Sequence, residues 1–389
     1  MKILHVIASL DRREGGPAVA CLGMAALMAR RGHDVRVLTL APGFDPAVGA
    51  LAPGVAIEAL PLSPAAGLRV SWPLDRRLAA AVPAADIVHL HSLYLFHDWS
   101  AARHCRRHGK PYIVRPHGTL DPFIHRRHRW RKAVIDRLFQ NDVLRRAAGL
   151  HYTTAEEWRL AAPHALNACG AVAPNGIDPA EFQNPPPRSA LRQRYPQIGD
   201  RRVVLFLGRL NFKKGLEIAV DAFAEAARRR DDLFLVIAGP DDGMRGKIES
   251  RIRERGIEQM SLFTGMVSGA DKAAVLTGSD VFLLPSLSEN FAITVIEAAA
   301  SGVPVIMSDR VNLCHEFAAA GAALIAEPNA ASFAASLNAL LDDPAAATRL
   351  RRRAAELVQA RFAWDALGQV YEKMYATAIR DGALPVLTP

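Results

Sequence analysis

The stretch "RVVLFLGRLNFKKG", residues 202–215, decides the fold of this chain. Residues 203–207, "VVLFL", form the continuous apolar run of a buried strand, and an amphipathic helix follows near Leu216. A strand followed by a helix halfway along the chain indicates that an α/β pattern begins again here. Because 389 residues also exceed the usual size of one domain, the sequence predicts two domains.

The same alternation of short apolar runs and helical segments extends in both directions. The predicted strands are 2–8, 34–40, 86–92, 111–116 and 149–154 in the first half, and 202–208, 233–239, 281–286 and 303–308 in the second. Beyond about residue 330 the sequence is typical of helices. The fold class is therefore α/β, with two Rossmann-like parallel-sheet domains and a ligand cleft between them.

Composition limits the class of protein. No apolar run approaches the roughly 20 residues that a membrane span needs. The apolar start of the chain is interrupted by "DRRE" at 11–14 and predicts a first strand rather than a signal peptide. The four cysteines are far apart and match no metal or redox spacing. This composition suits the cytosol.

The net charge of +9 lies almost entirely in the first half. Residues 1–185 contain 23 Lys and Arg against 15 Asp and Glu, and the densest stretch, 101–146, has 13 basic and 3 acidic residues. Such a stretch is either a solvated face or a surface for nucleic acid, anionic lipid or a phosphorylated substrate. Because the chain lacks a nucleic-acid reading motif or an aromatic stacking series, we expect no nucleic acid partner.

Two carboxylates stand out in "SLSENFAITVIEAAASGVPVIMSD", residues 286–309. Glu289 falls in the loop after a buried strand, and Glu297 falls in an apolar helix that starts near Phe291 or Ala292 and stops at Gly302. A buried Glu is costly unless it has a partner. Glu297 therefore either accepts hydrogen bonds from ligand hydroxyls, pairs with an arginine elsewhere in the chain, or reaches solvent through a gap.

Cations and a helix start complete this pattern. Arg209, Lys213 and Lys214 follow the strand that ends at Gly208, where they form either an ordinary charged turn or a clamp for a diphosphate. The N-terminus of the helix that carries Glu297 also suits phosphate.

The first half offers two weaker candidates. Gly16 belongs to a glycine pair after the first strand and allows close approach of a ligand, although most such pairs are turns. His117 follows the strand 111–116 at the same kind of position, where a lone histidine is more often structural than catalytic.

Taken together, these residues resemble the family-4 retaining glycosyltransferases with the GT-B fold, in particular bacterial exopolysaccharide and O-antigen members. The resemblance covers nearly the whole chain and rests on residues 5–39, "PHGTLDP", "APNGID", "GRLNFKKG" and the E-x7-E segment "ENFAITVIE". It implies an N-terminal acceptor-binding domain at 1–185, a linker at 186–201, a donor-binding domain at 202–362, and a last helix at 363–389 that crosses back to the N-terminal domain.

The resemblance also assigns roles to residues. Arg209 and Lys214 would hold the donor diphosphate, Glu297 would hold the ribose hydroxyls, and Glu289 would be a catalytic residue that contacts the hydroxyls of the donor sugar. The backbone of Asn290, Phe291, Ala292 and Ile293 would complete those contacts, with His117 beside the transferred sugar as a catalytic residue and Gly16 near the phosphates or the acceptor. The family's usual "EGFG" is "ENFA" here, so two glycines are replaced, which narrows the loop and affects the choice of donor sugar.

The implied reaction is a retaining transfer of a hexose from a GDP- or UDP-sugar to a saccharide or polyprenyl-diphosphate-linked acceptor in cell-surface polysaccharide biosynthesis. Because the chain has no D-x-D motif, we expect no metal and no other cofactor. Localisation would be cytoplasmic, or peripheral on an anionic membrane surface through 101–146. The alternatives are a related nucleotide-sugar epimerase or phosphorylase and, from another class, a basic nucleic-acid-binding protein.

Overall fold

The computed structural model describes residues 1–11, 15–64, 69–126 and 129–388, with Arg129 described by its backbone alone. The chain divides into two compact units, each with its own sheet and core. Unit 1 comprises residues 1–176 and 364–389, and unit 2 comprises residues 177–363.

Unit 1 is a seven-stranded parallel sheet in the order β3-β2-β1-β4-β5-β6-β7. Its strands are β1 (Lys2–Ile7), β2 (Asp34–Leu40), β3 (Ala56–Leu60), β4 (Ile87–His91), β5 (Tyr112–Arg115), β6 (Gly149–Tyr152) and β7 (Gly170–Val172). Its first helices are α1 (Gly16–Arg30), α2 (Trp72–Ala84), α3 (Phe96–Arg107), α4 (Pro122–His125), α5 (Arg129–Ile135), α6 (Asn141–Arg145) and α7 (Ala155–Ala165).

Unit 2 is a six-stranded parallel sheet in the order β10-β9-β8-β11-β12-β13. Its strands are β8 (Arg202–Leu207), β9 (Leu233–Ala238), β10 (Ser261–Gly265), β11 (Val281–Leu284), β12 (Val305–Ser308) and β13 (Leu324–Ala326). Its helices are α8 (Ser189–Arg194), α9 (Leu216–Ala227), α10 (Arg245–Arg255), α11 (Gly269–Thr277), α12 (Ile293–Ala300), α13 (Cys314–Ala319), α14 (Ala330–Asp342) and α15 (Pro344–Arg361).

The prediction of two Rossmann-like parallel sheets is confirmed. All nine predicted strands form, with ends that differ by at most two residues, and the chain beyond 330 is helical as expected. The four strands that sequence reading missed are β3, β7, β10 and β13, which are the edge strands of the two sheets.

The last helix, α16 (Trp364–Asp381), belongs to unit 1. The Trp364 ring lies so close to Gly23 and Gly176 that a Cβ atom on either would come within 2.2 and 2.5 Å of it. About two turns further along the helix, Glu372 pairs with Arg31 at 2.7 Å. The C-terminal segment is therefore part of the unit 1 core.

Residues 186–201 lie in unit 2. They include α8, whose Leu191 side chain is fully buried in the unit 2 core. Among the described residues, no helix is long and apolar enough to cross a membrane.

Candidate active site

The strand order of unit 2 reverses between β8 and β11, so the loops after these two strands diverge and leave room for a ligand. These loops contain most of the predicted site residues. The β8 loop, 208–215, carries the cations, and the β11 loop, 285–292, carries Glu289.

Close backbone contacts hold the two loops together. A Cβ atom on Gly215 would lie 2.0 Å from the carbonyl oxygen of Pro285, and Gly215 has a φ of 65°. Both observations require glycine. The Leu287 N–H donates to the Lys213 carbonyl at 2.7 Å. The cations and Glu289 are thus fixed on one rigid double loop.

Lys214 forms an ion pair with Glu289, and both side chains are largely buried. Burial alone would raise the pKa of the Glu289 carboxyl, but Lys214, with smaller effects from Lys213 and Arg209, lowers it below its usual value. Glu289 is therefore an anion, and the cations lie close enough to act on it.

Arg209 is more exposed than Lys214. Its guanidinium donates to Asp242 at 2.8 Å, and the Asn211 amide donates to the same carboxylate oxygen. Asp242 follows β9 and is a residue that sequence reading missed. It holds Arg209 at the end of β8 while leaving much of the guanidinium accessible.

The helix α12 follows the β11 loop as predicted. It begins at Ile293 after Ala292, which has a left-handed φ of 55° and provides no side-chain cap. It ends before Gly302, whose φ is 70°. The Ala292 side chain therefore does not cap the first N–H groups of α12, and these groups give this end of the helix positive character.

The three residues before this helix start have different surroundings. Phe291 is buried and its ring lies edge-on against Phe362 with centroids 6.0 Å apart. The Asn290 amide oxygen accepts from Asn312 at 3.4 Å. Phe291 and Ala292 are both turned into the core, so a ligand would meet mainly their backbone.

Glu297 is 8% exposed, as its apolar helix predicted. Its carboxylate accepts from Lys272 on α11 at 2.7 Å. Glu297 therefore has a cationic partner, but that partner is Lys272 and not the arginine that one alternative named. Because Lys272 already compensates the charge of Glu297, the burial of this carboxylate does not by itself indicate a ligand.

Two hydroxyls near the same loops have no hydrogen-bond partner. The Oγ of Ser286 and the Oγ1 of Thr294 are buried and unpaired among the described residues. Buried hydroxyls without partners are uncommon, and they are available to accept from or donate to a ligand. Ser286 lies directly after β11, and Thr294 lies in the first turn of α12. Hydroxyl side chains at these two positions could have been recognised from the sequence as candidate ligand contacts, but they were overlooked.

Gly16 begins α1 in unit 1. A Cβ atom on Gly16 would contact nothing within 4 Å, so the surrounding space is open, although residues 12–14 lie outside the described residues. A cavity of about 250 Å³ borders this helix start, lined by Ile7, Ala8, Ser9, Pro17, Ala18, Arg69, Ser92 and Leu95. It lies at the carboxyl ends of β1 and β4, where the strand order of unit 1 reverses.

His117 is not a lone histidine. It has a left-handed φ of 52°, and its Nε2 lies 3.1 Å from Nδ1 of His91, whose Nε2 lies 3.0 Å from Nδ1 of His5. A second row of rings, His89 and His151, lies beside them, with the His89 and His91 centroids 4.7 Å apart. We call these five residues the histidine cluster.

The cluster occupies the sheet face that α1 and α16 cover. Burial, followed by the charges of neighbouring groups that include Arg115, lowers the pKa of His89, His91, His117 and His151 well below 6.5. The alternating His89 and His91 in a buried strand were the sequence signal for this cluster.

The basic stretch 101–146 presents an apolar stripe. Trp130, Val134 and Leu138 follow one another at intervals of four residues and are 69%, 54% and 73% exposed. Phe139, in contrast, lies against Trp99 at the edge of the core. Residues 127 and 128 and the side chain of Arg129 lie outside the described residues.

Comparison with known proteins identifies the family. Residues 187–357 match the profile of "Glycosyl transferases group 1", and residues 15–176 match that of "Glycosyl transferase 4-like domain". The 2-deoxystreptamine glucosyltransferase of Streptomyces kanamyceticus is 30% identical over 72% of this chain and 71% of its own. The D-inositol 3-phosphate glycosyltransferase of Kineococcus radiotolerans is 28% identical over 95% of this chain and 92% of its own.

Solved structures agree on the fold. The Anabaena protein HepE, solved with UDP and glucose, has a TM-score of 0.79 at 20% identity over 97% of this chain and 100% of its own. Sucrose-phosphate synthase of Thermosynechococcus elongatus has a TM-score of 0.75 at 21% identity, with the same coverage of both chains. The chain therefore belongs to the family-4 glycosyltransferases of the GT-B fold and is a hexosyltransferase.

Proposed function

We propose that the protein transfers a hexose from a GDP- or UDP-sugar, with retention and without a metal ion, to a saccharide or polyprenyl-diphosphate-linked acceptor in cell-surface polysaccharide synthesis. The observation that carries this proposal is the double loop of unit 2, in which Arg209, Lys214 and an uncapped helix start surround Glu289. HepE, which shares the fold, was also solved with UDP-glucose.

The roles follow from charge and position. Arg209 and Lys214 bind the diphosphate, and the N–H groups of Ile293 and Thr294 add the positive end of a helix. Departure of the nucleotide places additional negative charge on the diphosphate, which these groups neutralise without a metal. A departing phosphate oxygen takes the proton of the acceptor, so retention needs no protein nucleophile.

The carboxylates of Glu289 and Glu297 recognise the donor. Glu289 accepts from the sugar hydroxyls and exchanges its contact with Lys214 for a ligand contact when the lysine turns to phosphate. Glu297 accepts from the ribose hydroxyls through the oxygen that Lys272 does not hold. His117 contacts the transferred sugar, and Gly16 allows close approach of the phosphates or the acceptor.

Nucleotide binding is tested by thermal unfolding with GDP, UDP and ADP. A nucleotide at 100 times its dissociation constant should add about 2.7 kcal/mol of stability. In Glu297→Gln the amide keeps the size of the side chain but loses a charged hydrogen bond worth about 1.5–3 kcal/mol, so the same nucleotide concentration should give a much smaller shift.

The matched control is Glu249→Gln, which changes an exposed carboxylate of the same unit that pairs with Arg245. This variant should shift as the wild type does. If no nucleotide stabilises the wild type, the donor site is wrong. If Glu297→Gln responds as strongly as the wild type, the ribose role is wrong.

We further propose that the protein is cytoplasmic and that the apolar stripe Trp130, Val134 and Leu138 inserts into an anionic membrane surface. In a flotation assay with phosphatidylglycerol vesicles at low salt, Leu138→Ser should weaken binding by roughly 10-fold or more, from the loss of a buried leucine. Leu51→Ser is the matched control, because Leu51 is 47% exposed outside the basic stretch. Equal effects of the two changes, or no binding by the wild type, would contradict the membrane role.

A further inference from the structure

One row of the histidine cluster has a single arrangement of protons. His151 Nε2 lies 2.8 Å from the Ala173 carbonyl, which can only accept, so this nitrogen carries the proton. His151 Nδ1 must then accept from His89 Nε2 at 3.3 Å, and His89 Nδ1 must accept from the Tyr375 hydroxyl at 2.8 Å. Because burial keeps both rings neutral, a backbone carbonyl fixes this whole row.

The other row, His5–His91–His117, allows two arrangements. Among the described residues, the two ring contacts within this row join only histidine nitrogens, and either nitrogen of each contact can be the donor. If every ring donates inward, His5 keeps an N–H at Nε2 and His117 has a bare Nδ1. If every ring donates outward, His5 Nε2 is bare and His117 carries its proton on Nδ1.

The inner end of the row decides between the two. His5 is fully buried and its Nε2 has no hydrogen-bond partner in the described structure. Inward donation would leave a buried N–H without an acceptor, which is rarer and costlier than a bare acceptor. The nearby Arg115 charge also favours a lone pair over an N–H at this end, and it disfavours a metal ion between His5, Cys21 and His91.

We propose that His5 and His91 are positioning residues that hold His117 in the Nδ1–H form, as a hydrogen-bond donor to an oxygen of the sugar donor and not as a base. This assignment rests on the proposed function, which places the transferred sugar beside His117. His117 is half-buried, and its Nε2 is occupied by His91, so Nδ1 is the nitrogen that remains for a ligand.

The tautomer can be measured without any activity. In protein labelled with ¹⁵N-histidine, protonated and bare ring nitrogens of a neutral imidazole give well-separated resonances. Comparison with His117→Gln identifies the His117 signals. The expected result at pH 7.5 is a protonated Nδ1 and a bare Nε2 on His117, and a bare Nε2 on His5. A bare Nδ1 on His117 would overturn the proposal.

Variants test the direction of the row. His91→Leu removes the donor to His117, so the Nδ1 and Nε2 signals should exchange or merge and kcat should fall by on the order of 10-fold to 100-fold, as for a misplaced ligand-contacting group. His91→Asn keeps an amide N–H near the position of Nδ1. It should therefore restore most of the Nδ1–H form of His117 and most of kcat. His151→Gln is the matched control, because it changes an equally buried histidine of the fixed row.

The outcomes separate this proposal from the proposed function. A His117 tautomer that is unchanged in His91→Leu, or that responds equally to His151→Gln, overturns the positioning role. If the tautomers are as expected but no nucleotide sugar is turned over, the transferase function fails and the hydrogen-bonded row stands.

Discussion

Acidification to about pH 5 is expected to unfold unit 1 while unit 2 remains folded. Five fully buried histidines of unit 1 are the cause, namely His5, His89, His91, His97 and His151. Burial is the largest cause in each, and it lowers the pKa of His5 to about 3 and that of His97 to about 4. The pKa values of the other three are well below 6.5.

The direction follows from proton binding. Below pH 6.5 the unfolded chain binds protons at these histidines and the native state does not, so the free energy of unfolding falls as the pH falls. Each histidine removes about 1.4 kcal/mol per pH unit, and five together remove about 7 kcal/mol per unit. Because a domain is typically stable by about 5–15 kcal/mol, one or two pH units below 6.5 are enough.

The sequence supplies a probe for each unit. All five tryptophans lie in unit 1, and unit 2 has one histidine, the exposed His315. Tryptophan fluorescence should therefore report an acid transition near pH 5, while circular dichroism at 222 nm retains a large helical signal to lower pH. Coincident transitions by the two probes, or fluorescence that is unchanged down to about pH 4, would contradict this expectation.

Lys214→Ala is expected to lower kcat by roughly 10²- to 10³-fold, the range for removing one fixed group that stabilises transition-state charge. The wild type should be fully active in EDTA, because we propose that Arg209 and Lys214 replace a metal ion at the diphosphate. The measurement is release of nucleotide in EDTA buffer from hexose derivatives of the nucleotide that the thermal-unfolding experiment selects, at saturating donor and acceptor.

Controls separate chemistry from stability. Removing Lys214 also leaves the largely buried Glu289 without its partner, which can cost about 3–5 kcal/mol, so circular dichroism must show that the variant is folded at the assay temperature. Lys214→Arg keeps the charge and should recover part of kcat. Lys247→Ala removes an exposed lysine that pairs with Glu217 and should leave kcat unchanged. A folded Lys214→Ala enzyme within about threefold of wild type would exclude the role of Lys214.

The strands that sequence reading found and missed differ in burial. Central strands such as β9 are buried at every residue, so their apolar runs are continuous and easy to recognise. The edge strand β3 is buried at none of its five residues, and "AIEAL" therefore has no strong pattern. An edge strand can be recognised only when the strand that it pairs with is known, and a single sequence does not show which strands pair.

The candidate site could be predicted where its residues lie close together in the sequence. The cations after β8 and the two glutamates before and within α12 could be read directly. Their partners could not, because Lys272 and Asp242 come from other elements and only tertiary contacts bring them to Glu297 and Arg209. The histidine cluster was missed for the same reason, since its members are spread over three strands and a loop.

The position of α16 has a consequence for biosynthesis. Unit 2 is one continuous segment, so every residue of its core is available once the ribosome has released residue 363. Unit 1 needs Trp364, Tyr371 and Tyr375 to cover its sheet, and these residues follow the whole of unit 2 in the chain. Unit 1, whose strands are translated before unit 2, is thus completed after unit 2, and until then its nascent sheet exposes an apolar face that a chaperone would recognise.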